Sequence, residues 1–191
     1  MKNRKMLLIL FICLVALQLC VPAYMIISRE MTLQSGKQFK FKAAPVDPSD
    51  PFRGRYVSIN IPDSEIDIPE DEEYYGGQTV YVLLENDAQG FAAMKGVSRT
   101  KPASGDYFKT RVIYVNPKDM GGTRKLHVAI PFNRYYMEEK AAPQAEEEYN
   151  RRAGEINDDV YVTIRVYKGS VVLEKLYVEG VPIEDYLKSK K

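Results

Sequence analysis

Residues 6–27 read M-L-L-I-L-F-I-C-L-V-A-L-Q-L-C-V-P-A-Y-M-I-I, an apolar run broken by Gln18 and Pro22. About 20 such residues cross the hydrocarbon core of a bilayer as a helix, so this run decides where the rest of the chain can sit. Lys2, Arg4 and Lys5 come before it. By the positive-inside rule those bases stay in the cytoplasm. The reading is a single-pass anchor in the inner (cytoplasmic) membrane, its N-terminus cytoplasmic and its C-terminal body periplasmic. Residues 6–20 could instead be the core of a signal peptide cut after Ala23. The run is long for that, and Val21-Pro22-Ala23 is an imperfect site. Lipoprotein processing at Cys20 needs a small residue before the cysteine and meets Leu19. A buried core helix is disfavoured because the run has no polar face.

Cys13 and Cys20 both lie inside this segment. The body therefore has no disulfide and no thiolate metal site, and must hold together by its core. The 191-residue chain is 45% hydrophobic and 28% charged, the balance of a globular domain rather than a disordered one. A net charge of +1 gives no electrostatic footprint for nucleic acid.

The expected layout is a cytoplasmic N-terminus (1–5), an anchor (6–27), a polar, flexible stalk (28–37), a β-rich body (38–187) and a basic tail (188–191). Phe39 and Phe41 alternate with Lys40 and Lys42, the period of a half-buried strand. Val57, Ile59 and Ile61 alternate with Tyr56, Ser58 and Asn60 in the same way. Residues 79–85 and 91–97 read as a hairpin across N-D-A-Q-G, and 107–115 and 125–130 as two more strands. Residues 160–167 and 170–178 form the clearest hairpin, because Lys168-Gly169 is a two-residue link of the kind that takes positive φ. The acidic stretch 63–73 reads as a solvated loop. Residues 144–153 are the internal helix, with Glu147–Arg151 and Glu148–Arg152 spaced for pairing. The tail at 182–187 has the makings of a helical turn. The fold class is mainly β: a transmembrane helix, then an antiparallel β-sandwich or partly open β-barrel with one short helix.

Chemical machinery is sparse. His127, the only histidine, sits on an alternating strand and reads as a strand residue with its polar edge hydrogen-bonded. No catalytic residue, metal site or cofactor is assigned. The stretch V-D-P-S-D-P-F-R-G-R-Y-V-S-I-N-I-P at 46–62 is more informative. Proline after Asp47 and after Asp50 holds each aspartate extended, where its carboxylate can take a backbone N–H or the guanidinium of Arg53 or Arg55. Gly54 permits a sharp turn into the strand at Tyr56. The segment serves either as a rigid corner that launches the sheet or as an Asp/Arg rim that grips a partner.

At these residues the chain resembles the GDYXXLXY family, small bacterial membrane-anchored proteins. Their pattern is Asp-Pro-x-Asp-x-Phe-Arg-Gly-Asp-Tyr shortly after an N-terminal anchor. Asp47, Pro48, Asp50, Phe52, Arg53, Gly54 and Tyr56 match it. Arg55 stands at the motif's Asp, Ile59 at its Leu and Ile61 at its final Tyr. A second segment, F-N-R-Y-Y-M-E-E at 132–139, is similar to the family's Arg-Tyr-Phe-x-x-Glu and contributes Arg134, Tyr135 and Tyr136. A literal Gly-Asp-Tyr at 105–107 has flanks that do not fit. The resemblance implies an extracytoplasmic domain in the envelope of a Gram-negative bacterium and carries over no catalytic residue.

Two functional expectations follow. One is a structural or interaction module that touches the bilayer through its helix and binds an envelope or integral-membrane protein. The other is a membrane-tethered hydrolase using carboxylates or a Ser/Lys pair, with Ser58 a candidate serine.

Overall fold

The computed structural model describes residues 2–45, 56–62, 64–116, 124–154 and 159–190. The motif positions Asp47, Pro48, Asp50, Phe52, Arg53 and Gly54 lie outside the described residues.

Helix α1 (Lys2–Ser35) contains the whole apolar run, with Pro22 inside it. It is long and apolar enough to cross a membrane, and none of its most apolar stretch is buried against the body. At 1.5 Å per residue α1 is about 50 Å long, more than the about 30 Å of a hydrocarbon core.

The body is mainly β and antiparallel in its sheets. One sheet has the order β1 (Lys37–Lys42), β9 (Val160–Tyr167), β10 (Ser170–Val178), β11 (Val181–Pro182). A second runs β3 (Glu65–Ile68), β7 (Arg124–Val128), β6 (Asp106–Val115), β4 (Thr79–Asn86), β5 (Ala92–Ser98). Between them β2 (Tyr56–Ser58) pairs with β8 (Arg134–Tyr136). Together they curl into a nearly closed barrel around one apolar core. Phe39, Phe41, Val57, Ile59 and Ile61, the inward positions of the alternating runs, are all buried. Phe132 binds the two main sheets together, its ring 5.2 Å from that of Phe41 and 5.8 Å from that of Phe108.

The 168–169 link behaves as its residues require: Lys168 has φ 50° and Gly169 φ 87°. The tip then docks on β6, where the Lys109 N–H donates to the Gly169 carbonyl at 2.9 Å. A Cβ on Gly169 would stand 2.9 Å from the Tyr107 ring, so backbone and space both ask for glycine there.

Three expectations change. The acidic stretch contains a strand: Ile66 and Ile68 of β3 are buried while Glu65 and Asp67 face out. The run S-E-I-D-I-P has the period of a strand, but its outward acids conceal it. Second, the body has two short helices, α2 (Ala142–Gly154) and α3 (Ile183–Ser189), the latter running into the basic tail. Ala142, Ala145 and Tyr149 form the buried stripe of α2. Arg151 reaches Glu148 at 2.5 Å, whereas Arg152 bridges to Glu179 at 2.5 Å.

Third, residues 28–37 do not form a flexible stalk. The helix continues to Ser35, the Gly36 N–H closes its last turn on the Thr32 carbonyl at 2.9 Å, and β1 starts at Lys37. Thr32 is buried. A Cβ on Gly36 would lie 2.3 Å from the Thr32 carbonyl, which only glycine avoids. Arg165 donates to the Gly36 carbonyl at 3.2 Å and to Glu174 at 3.0 and 3.1 Å. Gln38 donates to the other Glu174 oxygen at 2.7 Å. Helix and barrel meet at a clamped joint.

Candidate functional site

The described end of the first motif segment, in β2, pairs with the second motif segment, in β8. Tyr56 pairs with Tyr136, Val57 with Tyr135 and Ser58 with Arg134. Asn133 prolongs the contact by accepting the Ile59 N–H at 2.9 Å. Because a strand alternates its faces, the second motif is divided between two jobs. Tyr135 points into the body and is buried, and Phe132, in the turn ahead of β8 and outside that alternation, is buried too. Arg134 and Tyr136 point outward and are exposed.

Outside, the rings of Tyr56 and Tyr136 lie 5.7 Å apart, and the Arg134 guanidinium stands 5.1 Å over the face of Tyr56. Cross-strand aromatic pairing and a cation on a ring both hold these side chains in a fixed array. Inside, the Tyr135 hydroxyl donates to the Glu184 carboxylate of α3. Burial, and then that acceptor, push the Tyr135 phenol well above its ordinary pKa of 10, so it remains a donor. Tyr135 ties α3 to the back of the motif strand.

Nothing in the sequence singled out Tyr149, yet it secures the stem of the first motif. The chain that leaves β1 and the chain that follows β2 are bridged at Ala44 and Asn60, with the Ala44 N–H donating to the Asn60 carbonyl at 2.9 Å. Tyr149, fully buried on α2, donates its hydroxyl to the Ala44 carbonyl and accepts the Asn60 N–H at 3.2 Å. One phenol thus holds both sides of the stem that flanks 46–55. Burial pushes its pKa up to about 12.

A family model described as GDYXXLXY protein matches residues 18–176. The chain belongs to the GDYXXLXY family. The match takes in the second half of the anchor helix, both motif strands and the β9–β10 hairpin up to Leu176. No curated protein and no solved structure matches the chain. Family membership and the long apolar helix together fit a membrane-anchored protein.

The other candidate residues of this GDYXXLXY protein fall elsewhere. His127 on β7 stacks on Tyr114 at 4.1 Å, with its Nε2 3.0 Å from the Asn116 amide and 3.5 Å from Glu65. Those contacts use its polar edge within the sheet. Ser58 is in register with Arg134, and a guanidinium only donates, so that neighbour cannot take a hydroxyl proton. Gly105-Asp106-Tyr107 opens β6 near the anchor joint, where Asp106 pairs with Lys37 at 2.5 Å. Among the described residues no three His, Cys, Asp or Glu side chains gather as metal ligands do.

Proposed function

We propose that this protein is an extracytoplasmic interaction module, held at the inner membrane by α1, that binds an envelope or integral-membrane protein. The binding face is the outer surface of β2 and β8, with Tyr56, Arg134 and Tyr136, and we extend it to the motif residues Asp47, Pro48, Asp50, Phe52, Arg53 and Gly54 that precede β2 in the chain. Tyr135 positions that face from behind. The observation that carries the reading is the pairing of β2 with β8, which leaves Arg134 and Tyr136 exposed around a half-buried Tyr56 in one ordered array.

Physical chemistry favours contact there. Tyrosine and arginine bring large area and directional donors at modest entropy cost, and they dominate the energetic centres of protein interfaces. Tyr136 is 66% exposed although its neighbours on both sides are organised, so its ring is available. The bases before the apolar run support a cytoplasmic N-terminus and a periplasmic body.

A photo-crosslinking amino acid placed at Tyr136 in the full-length protein in membranes is expected to capture one discrete partner band. Arg134→Ala is expected to weaken that capture. A crosslink pattern identical to that from Lys95, an exposed residue on β5, would refute the assigned face. Orientation is tested separately by fusing alkaline phosphatase to the C-terminus, with high activity expected.

A further inference from the structure

A cleft of about 410 Å³ lies between the end of the anchor helix and the barrel. Its walls include Arg29 of α1, Asn133, Arg134 and Tyr136 of the second motif, and Glu174 of β10. Of its three charged groups, the acid is the one with an ionic partner among the described residues: Glu174 takes two hydrogen bonds from Arg165 and one from Gln38. Among the described residues no carboxylate pairs with Arg29, and Arg134 rests on the Tyr56 ring without an ionic partner. With Glu174 neutralised by Arg165, the cleft presents two guanidinium groups and an uncompensated positive charge.

Its position narrows the choice of anion. Arg29 follows the last apolar residue of the run, Ile27, by two positions, about 3 Å along the helix axis. That is the level at which the hydrocarbon core gives way to headgroups. The clamp at Gly36, Arg165 and Glu174 keeps the barrel side of the cleft beside the helix end. Tyr136 shares the outward face of β8 with Arg134, and tyrosine favours the membrane–water interface. Arginine's planar fork suits phosphate oxygens two at a time.

We propose that this cleft binds the phosphate of an anionic phospholipid headgroup in the leaflet beside the body. The proposal uses the membrane tether and does not depend on the protein partner. Arg29 lies off the β2–β8 pair, so its substitution separates the two.

The test uses the full-length protein in detergent, offered equal phosphatidylglycerol and phosphatidylcholine and read by native mass spectrometry. The wild type is expected to retain phosphatidylglycerol by roughly five- to tenfold, as two partly screened charge contacts allow. Arg29→Gln alone is expected to weaken that preference while leaving Tyr136 crosslinking intact, the double variant Arg29→Gln, Arg134→Gln to lose the preference, and Lys95→Gln to keep it. The charge-conserving pair Arg29→Lys, Arg134→Lys, which preserves charge without the fork, is expected to fall between and guards against misfolding as the cause of loss. An unchanged preference in the double glutamine variant overturns the proposal. So does tight binding of inorganic phosphate with no lipid preference, which would mark a site for a soluble anion. Loss of crosslinking at Tyr136 with lipid preference intact would count against the partner face alone.

Discussion

The body is tied down at two places by different kinds of chemistry. At the anchor joint, Arg165, Glu174 and Gln38 hold the Gly36 turn through a partly exposed charged network. At the motif stem, a single buried phenol on α2 holds Ala44 and Asn60 through neutral hydrogen bonds. Charged contacts near the surface weaken with salt and with pH, whereas buried neutral ones respond to neither within the physiological range. The joint is therefore adjustable by the medium. The stem is not, and it answers mainly to changes in the side chains that build it.

The largest expected effect falls on the core that both regions share. Phe132→Ala removes a buried ring packed on Phe41 and Phe108 and should cost about 3–5 kcal/mol in denaturant unfolding. A cost under about 1 kcal/mol would mean that the second motif does not support the barrel.

Next is Tyr149→Phe, which keeps the ring and deletes the hydroxyl. The loss should be about 1–2 kcal/mol, with faster amide exchange at Ala44 and Asn60 and no change at Gly36 of the joint. Because the folded phenol's pKa is raised from 10.0 to about 12, its contribution is present below pH 10 and is lost as pH rises through about 12. The Phe variant should lack that alkaline step. Equal exchange changes in both regions would erase the distinction between them.

Glu174→Gln should cost less, about 1 kcal/mol after allowance for partial exposure of the pair. Burial raises the Glu174 pKa, but hydrogen bonds from Arg165 and Gln38 outweigh that and hold it below the ordinary 4.5. A depressed carboxylate stabilises the fold above its unfolded value and ceases to do so as pH falls through the folded one. The gap between wild type and variant should accordingly close as pH falls through the lowered folded pKa of Glu174 and shrink in high salt. A gap independent of pH would assign the joint to packing.

The smallest effect on stability is expected from Tyr136→Ala, within about 0.5 kcal/mol because the ring is exposed. Its consequence should appear in partner capture instead. A large loss of thermal stability would place Tyr136 in the folding corner rather than on a binding face.

Much of this layout was legible in the chain. The helix, the inward positions of β1 and β2 and the 168–169 turn follow from local rules: apolar run length, period two and the demand for positive φ. The strand Glu65–Ile68 was hidden because two inward isoleucines counted for less than the acids around them. Their partner strand β7 is some sixty residues away, and only that pairing gives the two isoleucines a core to enter.

By itself the sequence determined that an apolar leader precedes a cysteine-free β body and that two family motifs lie on it, because each of these is a property of neighbours along the chain. Only the tertiary structure decided that Tyr56–Ser58 pairs with Arg134–Tyr136, that Tyr149 closes the stem flanking the first motif, and that the helix meets the barrel through a hydrogen-bonded joint. Those facts depend on contacts between residues tens to more than a hundred positions apart, for which local pattern carries no term.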